Sequence, residues 1–325
     1  MEDVNTGVVK ARVLFVDDEP RILTTMRMLF RSRYEVFFAD SGQAALELLK
    51  TQIVDVIVSD QRMPGMTGIE MLRAAKELNP NAMRILLTGY SDLNAIIGSI
   101  NEGEVFRFVN KPWANDDLSK TVARAVSAAK ASAEAAAVIA AADPTAVPLD
   151  ATQPIHGPGA AVLVMDDDPK VPSQIQQILG PGFRVYGATT MDEAVHHLEA
   201  NRIGVVISDT RVQDNPVVSL ISTLKQHHPE LVSVILTDRA DAGSAIELIN
   251  QGQIYRFITK PLHDSQCKIA VNSAVKQHQR LAASPVLHQR YEVETPAAPP
   301  PGAAGGTGLL ERVRSLRRWV KRLGA

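Results

Sequence analysis

The chain contains a single cysteine, Cys267, among its 325 residues. No intrachain disulfide framework can hold it together, and a reducing compartment suits it. No apolar run is long enough to span a bilayer as a helix, and the opening MEDVNTGVVKAR lacks the apolar segment of a secretory signal. The formal net charge is only −2, so composition makes no general case for a nucleic-acid partner. The pair His263-Asp264 has no further His or Asp at usable spacing and is not a metal site. These absences lead to the expectation of a soluble, cytoplasmic protein. What is present is substantial: 45% apolar and 22% charged residues, enough to build cores and too much to leave the whole chain disordered. The length suits two ordinary domains with linkers.

One stretch organises the rest. Ile53 to Asp60, IVDVIVSD, is a short apolar run rich in β-branched residues, as expected of a strand buried on both faces of a parallel sheet. It ends in a carboxylate, at the strand end where open α/β sheets place their ligands. The loop QRMPGMTG follows it.

Around it the pattern alternates. Strands are expected at Lys10–Val16, Tyr34–Ala39, Met83–Thr88 and Glu104–Asn110. Helices are expected from Pro20 to about Arg33, from the N-cap Ser41 to Lys50, from Thr67 to Leu78 and from Ser91 to Asn101. A last helix starts near Asn115 and runs without Gly or Pro to Ala142. Five β/α units in strict alternation predict an α/β fold with a parallel five-stranded sheet and helices on both faces.

The pattern then repeats at an offset of 149. VLFVDDEP from Val13 returns as VLVMDDDP from Val162, and EVFRFVNKP returns as QIYRFITKP. Asp209 falls on Asp60, Thr237 on Thr88 and Lys260 on Lys111. A repeat of this length means two copies of one domain rather than a solenoid. The expected organisation is a first domain over 10–130 with its last helix reaching about 142, a Pro-rich linker over 143–159, and a second domain over 160–283. A disordered Pro/Ala/Gly linker over 284–308 and a basic amphipathic helix over 309–325 complete it. In that helix Leu309, Val313, Leu316, Val320 and Leu323 form one stripe, and Arg312, Arg314, Arg317, Arg318, Lys321 and Arg322 fill the other faces.

The chemistry sits at the strand ends. Asp17 and Asp18 end the first strand, which should lie beside the strand ending at Asp60. Three carboxylates that close repel one another unless neutralised. Mg²⁺ takes such oxygens, and Lys111 brings positive charge from the fifth strand. Thr88 offers a hydroxyl from the fourth. The set fits carboxylate attack on phosphorus, with Asp60 becoming an aspartyl phosphate while Mg²⁺, Lys111 and Thr88 hold the phosphoryl oxygens. The plain alternative for Asp17 and Asp18 is capping of the helix that begins at Pro20.

DDEP, the strand-end Asp of SDQRMPGMTG, the Thr of LLTGYSD and the Lys-Pro of VNKPW together resemble the receiver domain of bacterial two-component response regulators. The resemblance covers about 10–130 and again about 160–283. It implies the flavodoxin-like (βα)5 order of strands, with Asp60 taking its phosphoryl group from a histidine kinase or phosphotransfer protein. It implies that Asp18 and Asp60 contact Mg²⁺ directly, Asp17 through water, and the backbone carbonyl of Arg62 as a further ligand. It assigns a switch role to Phe108 and Phe257 and predicts cis peptide bonds before Pro112 and Pro261.

The second copy retains Asp166, Asp167, Asp209, Thr237 and Lys260, which the resemblance makes a second metal and phosphoacceptor site. Two departures stand against this. Asp238 replaces the small Gly89, and QDNPV, with Asp214, replaces PGMTG. The other reading of this copy is a receiver fold kept as a docking surface. For the whole chain the expectation is a response regulator without an enzymatic or DNA-binding output domain, acting through phosphorylation-dependent binding of a downstream protein. The surface expected to carry that binding is the fourth helix, fifth strand and fifth helix. The long helix to Ala142 would relay a change between copies or form a homodimer stem. The alternatives are a phosphate sink for a shared kinase and an unphosphorylated scaffold. For the basic helix the readings are a protein partner or self-association, an anionic surface at the inner membrane through 309–323, or a solvated tail.

Overall fold

The computed structural model describes residues 10–89, 105–142, 161–213, 215–237, 250 and 254–283, with side chains only to residue 134 in the helix ending at Ala142. The helix expected from Ser91, the segments 143–159, 284–308 and 309–325, and Asp214 and Asp238 lie outside the described residues. The chain divides into two compact units, Met1–Ala133 and Glu134–Ala325.

The first unit holds β1 (Arg12–Val16), β2 (Glu35–Ala39), β3 (Val56–Asp60), β4 (Met83–Thr88) and β5 (Arg107–Asn110) in one parallel sheet, ordered β2-β1-β3-β4-β5. Period-two alternation sends Val13, Phe15, Val56, Val58, Met83, Ile85 and Leu87 to one face. There they meet Met26 and Phe30 of the helix Pro20–Phe30 and Leu118, Val122 and Ala125 of the helix Asn115–Ala142. Phe15 stacks on Phe30 with ring centroids 4.9 Å apart. Leu14, Ile57 and Leu86 alternate to the opposite face and are also fully buried. The helices Gly42–Leu49 and Gly68–Leu78 lie against that sheet. Both have side-chain caps: Ser41 accepts from Ala44 N–H, and Thr67 and Glu70 form a reciprocal capping box.

The organising strand is shorter than its apolar run. β3 begins at Val56, Ile53 is 75% exposed, and the Asp55 carboxylate accepts the Arg12 N–H at 2.7 Å. A carboxylate that takes up the first backbone donor of β1 ends the loop there, so hydrophobicity at Ile53 does not extend the strand.

The second unit repeats the architecture with β6 (Ala161–Met165), β7 (Val185–Ala188), β8 (Ile203–Asp209), β11 (Val232–Thr237) and β12 (Arg256–Thr259), ordered β7-β6-β8-β11-β12. Its core places Val162, Val164, Val205, Ile207, Val232, Val234 and Leu236 at the repeat positions of the first core. One addition has no counterpart: Arg211–Val212 (β9) and Asn215–Pro216 (β10) pair as a short antiparallel hairpin just after Asp209.

Candidate functional site

β1 and β3 are hydrogen-bonded neighbours, so the residues that end them meet at the carboxyl edge of the first sheet. One oxygen from each of Asp17, Asp18 and Asp60 lies within 4.8 Å of the other two. Asp17 and Asp60 are buried and Asp18 is exposed, which leaves the cluster one open side. The chain leaves β1 toward β2 on one side and β3 on the other, and the crevice at such a switch point is where open sheets bind ligands.

Lys111 closes the other side. Its ammonium lies 2.6 Å from Asp60 Oδ1 and 3.4 Å from Asp17 Oδ2. Burial works to lower its pKa, but the hydrogen bond and charge of Asp60, then those of Asp17, outweigh burial and the net shift is upward. Asp17 is held above the ordinary carboxylate range chiefly by burial, with a smaller push from the Asp60 charge. The Glu19 N–H and Lys111 oppose that shift. Three carboxylates against one ammonium leave the cluster short of positive charge. Opposite ligands of an octahedral Mg²⁺ stand about 4.2 Å apart at bond lengths of roughly 2.1 Å, and the three oxygens here all lie within 4.8 Å of one another, close to that span. The residues present fit a hard divalent cation.

Asp60 is positioned by its loop. The Arg62 N–H donates to Asp60 Oδ2 at 3.2 Å, and Gln61 N–H donates back to Leu87 O of β4 at 2.9 Å. Gln61 also accepts from Gly68 N–H through its carbonyl and from Ile69 N–H through Oε1. Gln61 and Gly68 carry no chemistry of their own and entered the sequence reading only as members of the SDQRMPGMTG motif, yet they tie β3 to the following helix. A buried polar Gln directly after a strand-end Asp was the available clue.

Thr88 ends β4 and is 1% exposed, with its hydroxyl donating to Gly89 O at 3.2 Å. Its carbonyl accepts the Lys111 N–H at 2.8 Å, which fixes the start of the Lys-Pro turn beside it. Both Lys111–Pro112 and Lys260–Pro261 are cis, as expected. Phe108 and Phe257 are each 2% exposed, on β5 and β12. Asp17 and Asp18 do not cap the helix at Pro20 as side chains. Its N-cap is Glu19, which has no side-chain cap bond, and Asp17 instead accepts the Glu19 N–H at 2.9 Å.

In the second unit Lys260 lies 2.7 Å from Asp166 Oδ2 and also contacts Asp209 Oδ2. Thr237 is 2% exposed at the end of β11. Asp167 Oδ1 accepts the Gln213 N–H at 2.7 Å.

The family model of the response regulator receiver domain matches residues 13–123 and again 162–272, more than half of the chain. The chain belongs to that family. Receiver domains are phosphorylation-based signalling modules of two-component systems. They bind Mg²⁺ at an acidic pocket and are phosphorylated by histidine kinases or phosphotransfer proteins. Among similar proteins is the hydrogenase transcriptional regulatory protein HoxA of Cupriavidus necator, 41% identical over 119 residues, which are 37% of this chain and 25% of that protein. The DNA-binding transcriptional regulator NtrC of Klebsiella pneumoniae is 34% identical over 113 residues, 34% of this chain and 24% of that protein. The match thus spans about a quarter of those relatives. The receiver domain of an HD domain-containing protein from Pseudomonas fluorescens is 33% identical, with 41% of this chain and 98% of that one covered and a TM-score of 0.38. Among the described residues of these tandem receivers, no helix is long and apolar enough to cross a membrane.

Proposed function

We propose that Asp60 is the phosphoacceptor of the first receiver and that the chain is a response regulator whose output is a protein contact governed by phosphorylation. A carboxylate oxygen of Asp60 attacks the phosphorus of a phosphohistidine on a histidine kinase or phosphotransfer protein. A P–O bond forms, the P–N bond breaks, and the imidazole leaves with the bonding pair. Asp18 and Asp60, with the backbone carbonyl of Arg62 and with Asp17 acting through water, would hold Mg²⁺. When bound, the ion neutralises charge on the transferring group. Lys111 already contacts Asp60 and binds a phosphoryl oxygen from the opposite side. Thr88 exchanges its bond to Gly89 O for a phosphoryl oxygen, and Phe108 repacks in response. The observation that carries this reading is the convergence of three aspartates from two strands upon one lysine.

The test is treatment with acetyl phosphate and Mg²⁺, followed by phosphate-affinity electrophoresis. Wild type is expected to shift and Asp60→Ala to run unshifted. A shift retained in Asp60→Ala and lost in Asp209→Ala would contradict the assignment. Pull-down with beryllofluoride-treated and untreated protein then checks the output, with a partner retained only by the treated form as the expected result.

A further inference from the structure

The two receivers hold the same acidic residues in different ways. We infer that the second receiver is closed to the divalent cation and to phosphorylation, because its own chain occupies Asp167, whose counterpart Asp18 stays exposed in the first receiver. This departs from what the family implies for the second copy.

Three observations carry it. First, Asp167 stands where the first copy has Asp18, and its Oδ1 is taken by the Gln213 N–H at 2.7 Å. Gln213 adopts φ 48°, an uncommon left-handed conformation for a residue with a side chain. That conformation lies in the turn between β9 and β10 and aims the N–H at the carboxylate. The repeat position in the first copy is Pro64, which has no N–H to give. The clamp is therefore specific to the second receiver, and Asp18 remains exposed and gathered with its two partners.

Second, Val217 stands where the first copy has Gly68. A Cβ on Gly68 would run into the backbone carbonyl of Asp60 and approach Leu86 Cδ1 to 2.9 Å. Val217 carries a branched side chain there, and the matching backbone bond, Val217 N–H to Thr210 O, is 3.2 Å against 3.0 Å for Gly68 N–H to Gln61 O. The Asp209 side chain is 23% exposed against 7% for Asp60. Its Oδ1 accepts from both the backbone N–H and the hydroxyl of Thr210, while Oδ2 meets Lys260. Asp60 instead receives the N–H two residues on, from Arg62.

Third, Lys260 sits closer to the buried aspartate of the pair, 2.7 Å from Asp166 against 3.4 Å between Lys111 and Asp17. Every one of the three carboxylates in the second receiver has a protein donor or cation on at least one oxygen. Among the described residues, only Asp17, Asp18 and Asp60 gather within ligand reach of one another. Lys260, the Thr210 donors and the hairpin N–H thus occupy oxygens that a cation would need in the second receiver.

The experiment counts bound Mn²⁺, a paramagnetic substitute for Mg²⁺, by electron paramagnetic resonance on the full chain. Wild type, Asp18→Asn and Asp167→Asn are compared. Folding of the second receiver in each is checked through Cys267, which is buried with its thiol pushed up to about 11 by desolvation, so it resists alkylation until that unit unfolds. One equivalent is expected, lost in Asp18→Asn and unchanged in Asp167→Asn. Two equivalents in wild type, or loss of the ion in Asp167→Asn, would overturn the inference. No bound ion in wild type would sink the reading of the first site and leave this inference standing.

Discussion

Gly68 opens its helix directly over the carbonyl oxygen of Asp60, at a separation that leaves no room for a Cβ. The proposed phosphoacceptor is thereby locked to the residue that starts the next helix. Gly68→Ala sets two effects against each other. Helix propensity favours Ala by up to about 1 kcal/mol. The overlap is with backbone that cannot rotate away, and overpacking of that kind costs about 1–3 kcal/mol. The steric term wins. Gly68→Ala is expected to lower the Tm of the first receiver by several degrees and to weaken acetyl phosphate labelling of Asp60. A Tm at or above wild type would show that the strand and helix separate freely.

The Lys111 ammonium lies 5.6 Å from the centroid of the Trp113 ring. A cation above the ring face interacts with its π-system, and any shift of Lys111 away from Asp60 changes that interaction. Mg²⁺ followed by beryllofluoride is expected to change Trp113 fluorescence in a Trp319→Phe background. Asp18→Asn should remove the Mg²⁺ response. A fluorescence trace indifferent to both additions would count against the convergence of Lys111 and the acids on one ligand.

Lys225 is 3% exposed on the helix Val218–His227. Burial depresses its pKa from 10.5 to about 7, with the Glu230 charge offsetting part of the effect. The folded value lies below the unfolded one, so the unfolded chain binds more protons between about pH 7 and 10.5. Stability of the second receiver must rise with pH across that window. Lys225→Met is expected to be more stable than wild type at pH 7, by on the order of 1–3 kcal/mol. The advantage should shrink toward pH 10. Urea unfolding at the two pH values, followed by circular dichroism, measures this; an advantage that grows with pH would reverse the sign of the argument.

Asn79 is 4% exposed and bridges two elements. Its Oδ1 accepts the Val54 N–H at 3.0 Å and its Nδ2 donates to Leu49 O at 3.2 Å. Asn79→Ala leaves a buried donor and a buried acceptor without partners, at about 1–3 kcal/mol each. The expected loss is about 2–4 kcal/mol in urea unfolding of the first receiver. Asn79→Asp, which keeps only the acceptor, should fall between Ala and wild type.

The sequence by itself determined the fold and the residue types of the site. Two runs of β/α alternation, each ending its strands in Asp, Thr and Lys at matching intervals, admit a parallel sheet whose strand ends form one edge. Chemistry confined to strand ends is legible because strand period and burial place those residues without knowledge of the side chains around them. The helix stop at Asn79-Pro80 was legible too, although the buried bridge made by the Asn79 amide was not.

Tertiary structure alone decided which carboxylates are open. The offset of 149 aligns Asp167 with Asp18 and Asp209 with Asp60, so both sites look complete in one dimension. Whether each oxygen faces a cation or a backbone N–H depends on a turn at Gln213, a Cβ at Val217 and the reach of Lys260. Those are contacts between segments 46 and 51 residues apart, at Asp167–Gln213 and Asp209–Lys260. Hydrogen bonds of that range form only after the chain has folded back, and no local pattern of residues announces them.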